Sequence, residues 1–362
     1  MSDGRNSVVP GLALTFVIAV AAYFVRTLPV PPLTLADGTH PVDALILAIL
    51  FGLVIRNTLR LPKRLRPGIK YAVGSVLPLA IVFMGAKLDF FDVLRVSGQA
   101  LVINVLCVLV ALAGTIQLCR RTGVGQKLGM LIAIGTAICG GTAIAVTAPI
   151  IEADEEDTAF AVGAITLFGL AWIFVFPIVG NAFGMSQTEF GVWAGTGIHA
   201  TPQVMAAGFA YGETAGDVAT IVKLVRVLLL APLVIGLGAW YAREKRKRDI
   251  AHVVERPSWT QFFPPFVFGF IGLAVLNTAH LLPDFTFHLQ QSVLWEAGDV
   301  PVSMADASTT ASGFLITMAM AGVGLGVDVK GLMKVGLKAF YVGLFAAVVL
   351  AALSLLLIHV MM

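Results

Sequence analysis

The stretch GTAICGGTAIAVTAPIIEADEED, residues 135–157, decides the fold of this chain because it places glycine, threonine and proline among long apolar segments. A second stretch, GTGIHATPQVMAAGFAYGETAGD, residues 195–217, opens on the same Gly-Thr-x-Ile pattern and also ends on an aspartate. Apolar runs flank both stretches. The pair therefore predicts two polar features inside an otherwise apolar protein.

The composition sets the class of the chain. Hydrophobic residues make up 58% of the sequence and charged residues 12%, whereas a soluble domain carries about 25% charged residues. We predict an all-α polytopic membrane protein with about 11 transmembrane helices, each of roughly 20 apolar residues. The predicted spans are 8–28, 42–59, 69–87, 99–119, 127–151, 158–183, 187–211, 216–242, 261–282, 302–328 and 336–360.

The loop charges predict the orientation. Lysine and arginine cluster in residues 56–70, 120–127, 243–256 and 330–338, and these loops fall on one side if every predicted span crosses. Such loops face the cytoplasm, so we expect a bacterial inner-membrane protein with a cytoplasmic N-terminus and an external C-terminus. The acidic run EADEED would then lie outside. A basic run can also bind nucleic acid, but each of these adjoins a span, and no nucleic-acid partner is expected.

The first polar stretch fits a discontinuous helix. In lipid, irregular backbone is tolerated only where protein or a water-filled cavity surrounds it, and secondary transporters use such breaks to aim helix ends at substrates and ions. The alternative is that small residues only let helices pack closely. The candidate substrate-binding residues here are Thr136, Cys139, Gly140, Gly141 and Thr142.

The second stretch adds His199, Thr201 and Gln203, and the span after it holds Lys223 and Arg226 in an apolar run. A charge at mid-membrane is costly and almost always faces the protein interior. We therefore expect these five residues to bind an anion. The alternatives are a structural ion pair and, chiefly for the lysine, a side chain that reaches back to the interface.

A third polar stretch, SMADASTTASGFLITMAMAGVGLGVD at residues 303–328, contains Asp306, which is a coupling-ion candidate together with His199 unless it lies in an external loop. The fifth and tenth predicted spans run oppositely and are both glycine-rich. We predict inverted five-helix repeats with two discontinuous crossing helices, as in many transporters. The whole chain, 1–362, would be one transporter domain, with an extra N-terminal helix in 1–40 and repeats in 41–183 and 187–362.

Four blocks carry a family resemblance: KLGMLIAIGTAICGGTAIAVTAPII, GVWAGTGIHATPQVMAAG, ATIVKLVRVLLLAPLVIG and FLITMAMAGVGLGVD. They resemble, in order, the signature blocks of the YeiH-type family of sulfate exporters, which is similar to the bile-acid symporter and cation/proton antiporter superfamily. The resemblance, from about Arg56 to the end, implies ten core spans, two crossing discontinuous helices and an elevator-like movement. One departure is Ala200, where the family usually has an acidic residue, so coupling through that carboxylate is absent here.

The function that these features favour is secondary, ion-coupled transport of a small anion such as sulfate, an organic sulfonate or a carboxylate. An anion channel is the alternative, and an intramembrane enzyme using Cys139 and His199 as a thiol–imidazole pair is a more distant one. No phosphate-binding loop or metal-ligand motif is visible, so we expect no enzyme activity, cofactor or metal. Besides lipid and the anion, the candidate partners are a proton or sodium as coupling ion and a second copy in a homodimer.

Overall fold

A computed structural model describes residues 8–28, 43–247, 264–289, 298–327 and 337–362, and most of them are helical. Seven helical segments in these ranges are long and apolar enough to span a membrane, and shorter apolar helices accompany them. The predicted all-α polytopic class is confirmed, with one small β-hairpin added. Most of the basic loop at 243–256 and most of that at 330–338 lie outside the described residues.

The elements follow one another in this order: α1 (Val9–Arg26), α2 (Ala44–Thr58), α3 (Arg66–Tyr71), α4 (Leu77–Met84), α5 (Phe90–Thr122), α6 (Gln126–Ala137), α7 (Gly141–Ile150), α8 (Glu155–Ala182), α9 (Gln187–Gly197), α10 (Thr201–Tyr211), α11 (Glu213–Leu228), α12 (Leu230–Lys247), α13 (Pro265–Thr278), β1 (Asp284–Leu289), β2 (Gly298–Ser303), α14 (Met304–Gly326) and α15 (Leu337–Met361). Short 3-10 turns at Lys63–Leu65 and Gly85–Lys87 and a π-helical turn at Ala72–Val76 join α3 and α4 into one span. Strands β1 and β2 pair antiparallel, with Asp284 opposite Ser303.

The chain divides into two compact units. Unit 1 contains residues 1–95 and 264–326, and unit 2 contains residues 96–263 and 327–362. These units follow spatial contacts rather than a halving of the sequence, so the predicted repeats at 41–183 and 187–362 stay a prediction.

Within unit 1, α14 crosses α2 at backbone contact. A Cβ added at Gly324 would lie 2.2 Å from the carbonyl oxygen of Ile49, and one added at Gly52 would lie 2.5 Å from that of Ala321. The prediction that the tenth span is interrupted is therefore wrong: α14 is one helix of 23 residues. Its glycines permit close packing, and its Thr317 hydroxyl bonds back to the helix's own backbone.

In unit 2, α6 and α7 form a helical hairpin, here called hairpin A, with its tip at residues 138–140. The Lys127 ammonium near the start of α6 donates to the carbonyl oxygen of Glu152, just after α7. Two collinear helices of 12 and 10 residues would hold these ends about 33 Å apart at 1.5 Å per residue. The fifth predicted span is thus interrupted, as predicted, but its second half folds back along the first instead of continuing in the same direction.

Helices α9 and α10 form hairpin B, with its tip at residues 198–200. The rings of Phe190 and Tyr211, from the outer ends of the two helices, stack with their centroids 3.8 Å apart. The Tyr211 hydroxyl also donates to the carbonyl oxygen of Met185. The second discontinuous segment is therefore the seventh predicted span and not the tenth.

Helix α8 sets the direction of the two hairpins. It runs from the base of hairpin A to the base of hairpin B over 28 residues, about 42 Å. Near its middle, the carbonyl oxygen of Thr166 accepts a bond of 3.1 Å from Gln203 beside tip B, and Ile165 lies within 3.3 Å of a Cβ added at Gly140 in tip A. The hairpins therefore enter from opposite ends and their tips meet halfway.

This geometry corrects the predicted loop assignment. Because Lys127 bonds to Glu152, the run EADEED lies beside the basic loop that precedes hairpin A, whereas eleven crossings would place it on the opposite side. The two polar stretches approach the centre from opposite directions.

Helix α11 packs against both arms of hairpin B through small residues. A Cβ at Gly195 of α9 would lie 2.7 Å from the Val222 side chain, and one at Gly208 of α10 would lie 2.9 Å from the Cα of Gly216. Helix α15 holds α9 from another side, where the Trp193 indole donates to the carbonyl oxygen of Ala351 at 2.9 Å. This packing places the middle of α11 directly at the two tips.

Candidate functional site

Arg226 is a fully buried side chain of α11 that connects the two hairpin tips. Its guanidinium donates to the carbonyl oxygens of Thr136 and Ala137 in hairpin A, at 2.6 and 2.7 Å. It also donates to those of Thr196 and Ile198 in hairpin B, at 2.6 and 3.3 Å. A guanidinium has five N–H groups, so four are engaged by backbone.

Lys223 lies one helical turn earlier and is also fully buried. Its ammonium donates to the carbonyl oxygens of Ile138 at 2.9 Å and Ile198 at 3.0 Å, and to that of His199. An amine that donates all three of these bonds is the protonated one, because a neutral amine has only two N–H groups. The ammonium therefore has no N–H left for another acceptor.

The acceptors share one property: they are the last carbonyls of α6 and α9 and of the turns that follow. The final carbonyls of a helix have no partner within it, and the helix dipole places partial negative charge there. A cation at such an end is favourable, and here two cations serve two ends. Lys223 and Arg226 thus act in this structure as caps that hold tip A against tip B.

This arrangement tests the two structural alternatives for Lys223 and Arg226, namely an ion pair and a side chain that reaches back to the interface. Neither side chain reaches back to an interface, because both have 0% exposure. Their described acceptors are backbone carbonyls rather than carboxylates, so an ion pair is not what compensates them. Thr136 contributes its carbonyl oxygen to Arg226. The expectation that Thr142, His199 and Gln203 bind an anion together with Arg226 stays a prediction.

The second helix of each hairpin, α7 in hairpin A and α10 in hairpin B, begins at the hairpin tip. Gly140 precedes α7 with φ +66° and ψ −126°, a conformation that glycine adopts far more readily than other residues. Gly141 is half-buried and Thr142 is exposed, and at tip B Ala200 and Thr201 are half-buried. The first N–H groups of a helix lack helical partners, so the starts of α7 and α10 present donors at the surface of unit 2.

Fixed charges make this region electropositive. The two buried cations contribute +2, the C-terminal ends of α6 and α9 contribute about −0.5 each, and the N-terminal ends of α7 and α10 contribute about +0.5 each. The sum is about +2 in a region with few other described charges. The charge balance at the tips is therefore positive.

His199 and Cys139 are buried at the two tips. Among the described residues, neither ring nitrogen of His199 has a hydrogen-bond partner, and the hydroxyl of Thr136 is likewise unpartnered. A thiol–imidazole hydrogen bond between Cys139 and His199 is therefore not formed. The buried imidazole and hydroxyl are polar groups placed beside the helix ends without a structural bond of their own.

Gln203 ties hairpin B to α8. Its amide donates to the Thr166 carbonyl, and its oxygen accepts from the backbone N–H of Ala200 at 3.2 Å. Helix α10 begins at Thr201, so His199 lies in the turn before the helix and not on its face. The side chain of Gln203 instead fixes the turn at tip B.

Asp306 belongs to unit 1 and lies, exposed, in the first turn of α14. The predicted substrate-binding residues all belong to unit 2. In the described parts of the chain, no three His, Cys, Asp or Glu side chains gather as metal ligands.

Sequence reasoning missed two contributors. Asn104 of α5 is buried and donates to the carbonyl oxygen of Val222 at 3.1 Å, beside Lys223, and an amide inside the apolar run ALVINVLCVLV could have indicated it. Gly169 of α8 leaves the space that the Gln203 amide fills, and nothing in the sequence marks that glycine.

Comparison with known proteins agrees with the membrane class. The family model described as Conserved hypothetical protein 698 matches residues 10–343. The chain is 30% identical over 350 residues to a UPF0324 membrane protein of Bacillus anthracis, covering 96% of this chain and 94% of the relative. It is 31% identical over 356 residues to a UPF0324 membrane protein of Bradyrhizobium diazoefficiens, covering 98% and 93%. These matches confirm the family resemblance predicted from the four sequence blocks.

Proposed function

This chain belongs to the family described as Conserved hypothetical protein 698, and we propose that it is a secondary transporter that carries a small anion across a bacterial membrane by an elevator-type movement. The observation that carries the proposal is the meeting of two opposed hairpins, with four helix ends at the level where α8 is halfway through its length. Secondary transporters place substrate at such ends near the bilayer midplane.

The charge at the tips supports an anion as the cargo. An excess of about +2 from side chains and helix dipoles lies next to the first backbone N–H groups of α7 and α10, which have no partner within their own helices. An oxyanion such as sulfate, a sulfonate or a carboxylate would accept bonds from backbone N–H groups and from the hydroxyls of Thr142 and Thr201. Gly140 and Gly141 would allow close approach of the backbone.

The hairpins also support the proposed orientation. If hairpins A and B fold back and the other nine predicted spans cross, the basic loops at 56–70, 120–127, 243–256 and 330–338 would still share one side. By the loop-charge rule that side is the cytoplasm. The N-terminus would be cytoplasmic and the C-terminus external, with hairpin A entering from the cytoplasm and hairpin B from outside.

Counterflow in proteoliposomes tests the function. Vesicles holding purified protein are loaded with one unlabelled anion and diluted into the same anion carrying a radiolabel, with sulfate, a sulfonate and a dicarboxylate tried in turn. A carrier transiently concentrates the label inside, and a channel only equilibrates it. Lack of label uptake with every anion would contradict transport, and uptake without an overshoot would favour a channel.

A matched set of variants tests the site. Thr142→Val and Thr201→Val remove hydroxyls at the starts of α7 and α10 and keep the side-chain shape. Losing a bond to a charged ligand costs about 1.5–3 kcal/mol, so the counterflow rate at low anion concentration should fall roughly 10- to 100-fold. Thr122→Val is the control, because the Thr122 hydroxyl bonds only to its own helix; an equal loss in the control would contradict the site.

A further inference from the structure

We propose that Lys223 and Arg226 take the place of a coupling cation at the hairpin tips, so that this chain operates without sodium. The statement about coupling rests on the proposed transport function. The statement about cation binding does not, because it concerns the occupancy of a set of carbonyl oxygens by side chains of the same chain.

The first step is the geometry of the acceptors. Carbonyl oxygens of interrupted helices are the groups that hold sodium in many transporters. Here six such oxygens, from residues 136, 137, 138, 196, 198 and 199, converge from two hairpins. Both tips contribute to the environment of each cation, so the cluster has the composition of a shared cation site.

The second step is occupancy. The Lys223 ammonium has no free N–H, and three carbonyls from both tips surround it. The Arg226 guanidinium covers the remaining carbonyls and shares that of Ile198. A sodium ion entering this cluster would have to displace one of them and would meet the charge of the other at short range. The tethered cations therefore exclude a free one.

The third step is what a cation at this place does. In the structure, the ammonium and guanidinium neutralise two helix C-termini and hold tip A to tip B. If a free ion held the tips together, the contact between tip A and tip B would exist only while the ion was bound. Transport would then be coupled to binding of that ion. A cation fixed to α11 makes the union permanent, so the tips stay joined whether or not sodium is present.

The test removes the tethered charge and offers a free one. The full chain, purified in detergent, is heated in sodium, potassium or choline chloride at equal concentration, so that only the cation varies. The variants are Lys223→Ala, which empties the carbonyl cage, and Lys223→Met, which fills the stem and leaves no room for an ion. Lys127→Ala is the control, because Lys127 also caps a carbonyl but lies at the base of hairpin A.

We expect the wild-type melting temperature to be the same in all three salts. Lys223→Ala should melt lower in choline and recover by roughly 3 °C or more as sodium is raised, since a ligand of the folded state stabilises it by mass action. Lys223→Met and Lys127→Ala should show no such recovery. A sodium-dependent rise in the wild type, or a folded Lys223→Ala that ignores small cations, would overturn the proposal.

Melting of the wild-type protein in the three salts tests the proposal even if a variant fails to fold. None of the melting experiments requires a transported substrate. If counterflow is observed and requires sodium, the inference fails and the transport function stands. If no anion is carried and only Lys223→Ala responds to sodium, the transport function fails and the occupancy of the tips stands.

Discussion

Gly169→Ala tests the junction between hairpin B and α8. A Cβ at this buried position would lie 1.7 Å from the Gln203 side-chain oxygen and 2.4 Å from its carbonyl carbon, so the amide must move. Moving it breaks the bonds to Thr166 and Ala200, at about 1 kcal/mol each, and leaves a buried N–H unpaired, at about 1–3 kcal/mol. Overpacking adds about 1–3 kcal/mol, and the better helix propensity of alanine returns about 1 kcal/mol. We expect a net loss of about 3–7 kcal/mol in unfolding free energy.

A double-mutant cycle separates the steric clash at residue 169 from the loss of the Gln203 hydrogen bonds. Gln203→Ala alone loses the same two bonds and leaves the same N–H unpaired, but without a clash, at about 3–5 kcal/mol. In the double variant the methyl group of residue 169 enters the space that the amide has left, so its cost should vanish and the coupling energy should reach about 2 kcal/mol or more. Gly114→Ala is the control, because no atom of the described residues lies within 4 Å of its added Cβ.

The cycle can be measured by tryptophan fluorescence during unfolding of the detergent-solubilised chain by dodecyl sulfate. Additive losses for Gly169→Ala and Gln203→Ala would refute the steric argument. A Gly169→Ala protein as stable as Gly114→Ala would show that the amide does not occupy this space.

Two further predictions concern the tips and the path of the chain. Gly140→Ala should destabilise the protein by about 1–3 kcal/mol, because its φ of +66° suits glycine, and it should lower counterflow more than thermal stability alone explains; unchanged counterflow would separate this turn from function. Single cysteines at Gly123 and Asp154 should react with a membrane-impermeant maleimide from the same side, and one at Gly184 from the other, in intact and inverted membranes. Opposite sides for the first two would mean that hairpin A crosses the membrane.

The class of the chain could be predicted from composition because lipid tolerates so few charges. The interruption within 135–149 could also be predicted, since Gly140 and Gly141 weaken the helix at one point. Whether the two halves then continue or fold back could not be predicted. Residues 127–151 are long enough for one crossing, and the reversal depends on backbone angles, such as φ −118° and ψ −97° at Ile138, that neighbouring helices impose.

Lys223 and Arg226 illustrate a second limit of prediction from sequence, which concerns the partners of buried charges. Burial of Lys223 and Arg226 could be predicted from the apolar run around them, but their partners could not. Every residue has a carbonyl group, and only the end of a helix leaves it unpaired. A search among side chains for a negative partner therefore looks in the wrong place, because the compensating charge comes from backbone at positions known only once α6 and α9 have ended.

The error at the tenth span and the success at the fifth have the same origin, which bears on where function is encoded. Glycines and hydroxyls serve two purposes: in α14, Gly324 allows contact with α2, whereas Gly140 in hairpin A reverses the chain with a positive φ. Composition cannot separate these uses, since both need the absence of a side chain. The polarity at the hairpin tips is then mostly backbone polarity, held in place by Lys223 and Arg226. Changes that alter the path of the backbone should consequently impair the site more than removal of any single hydroxyl.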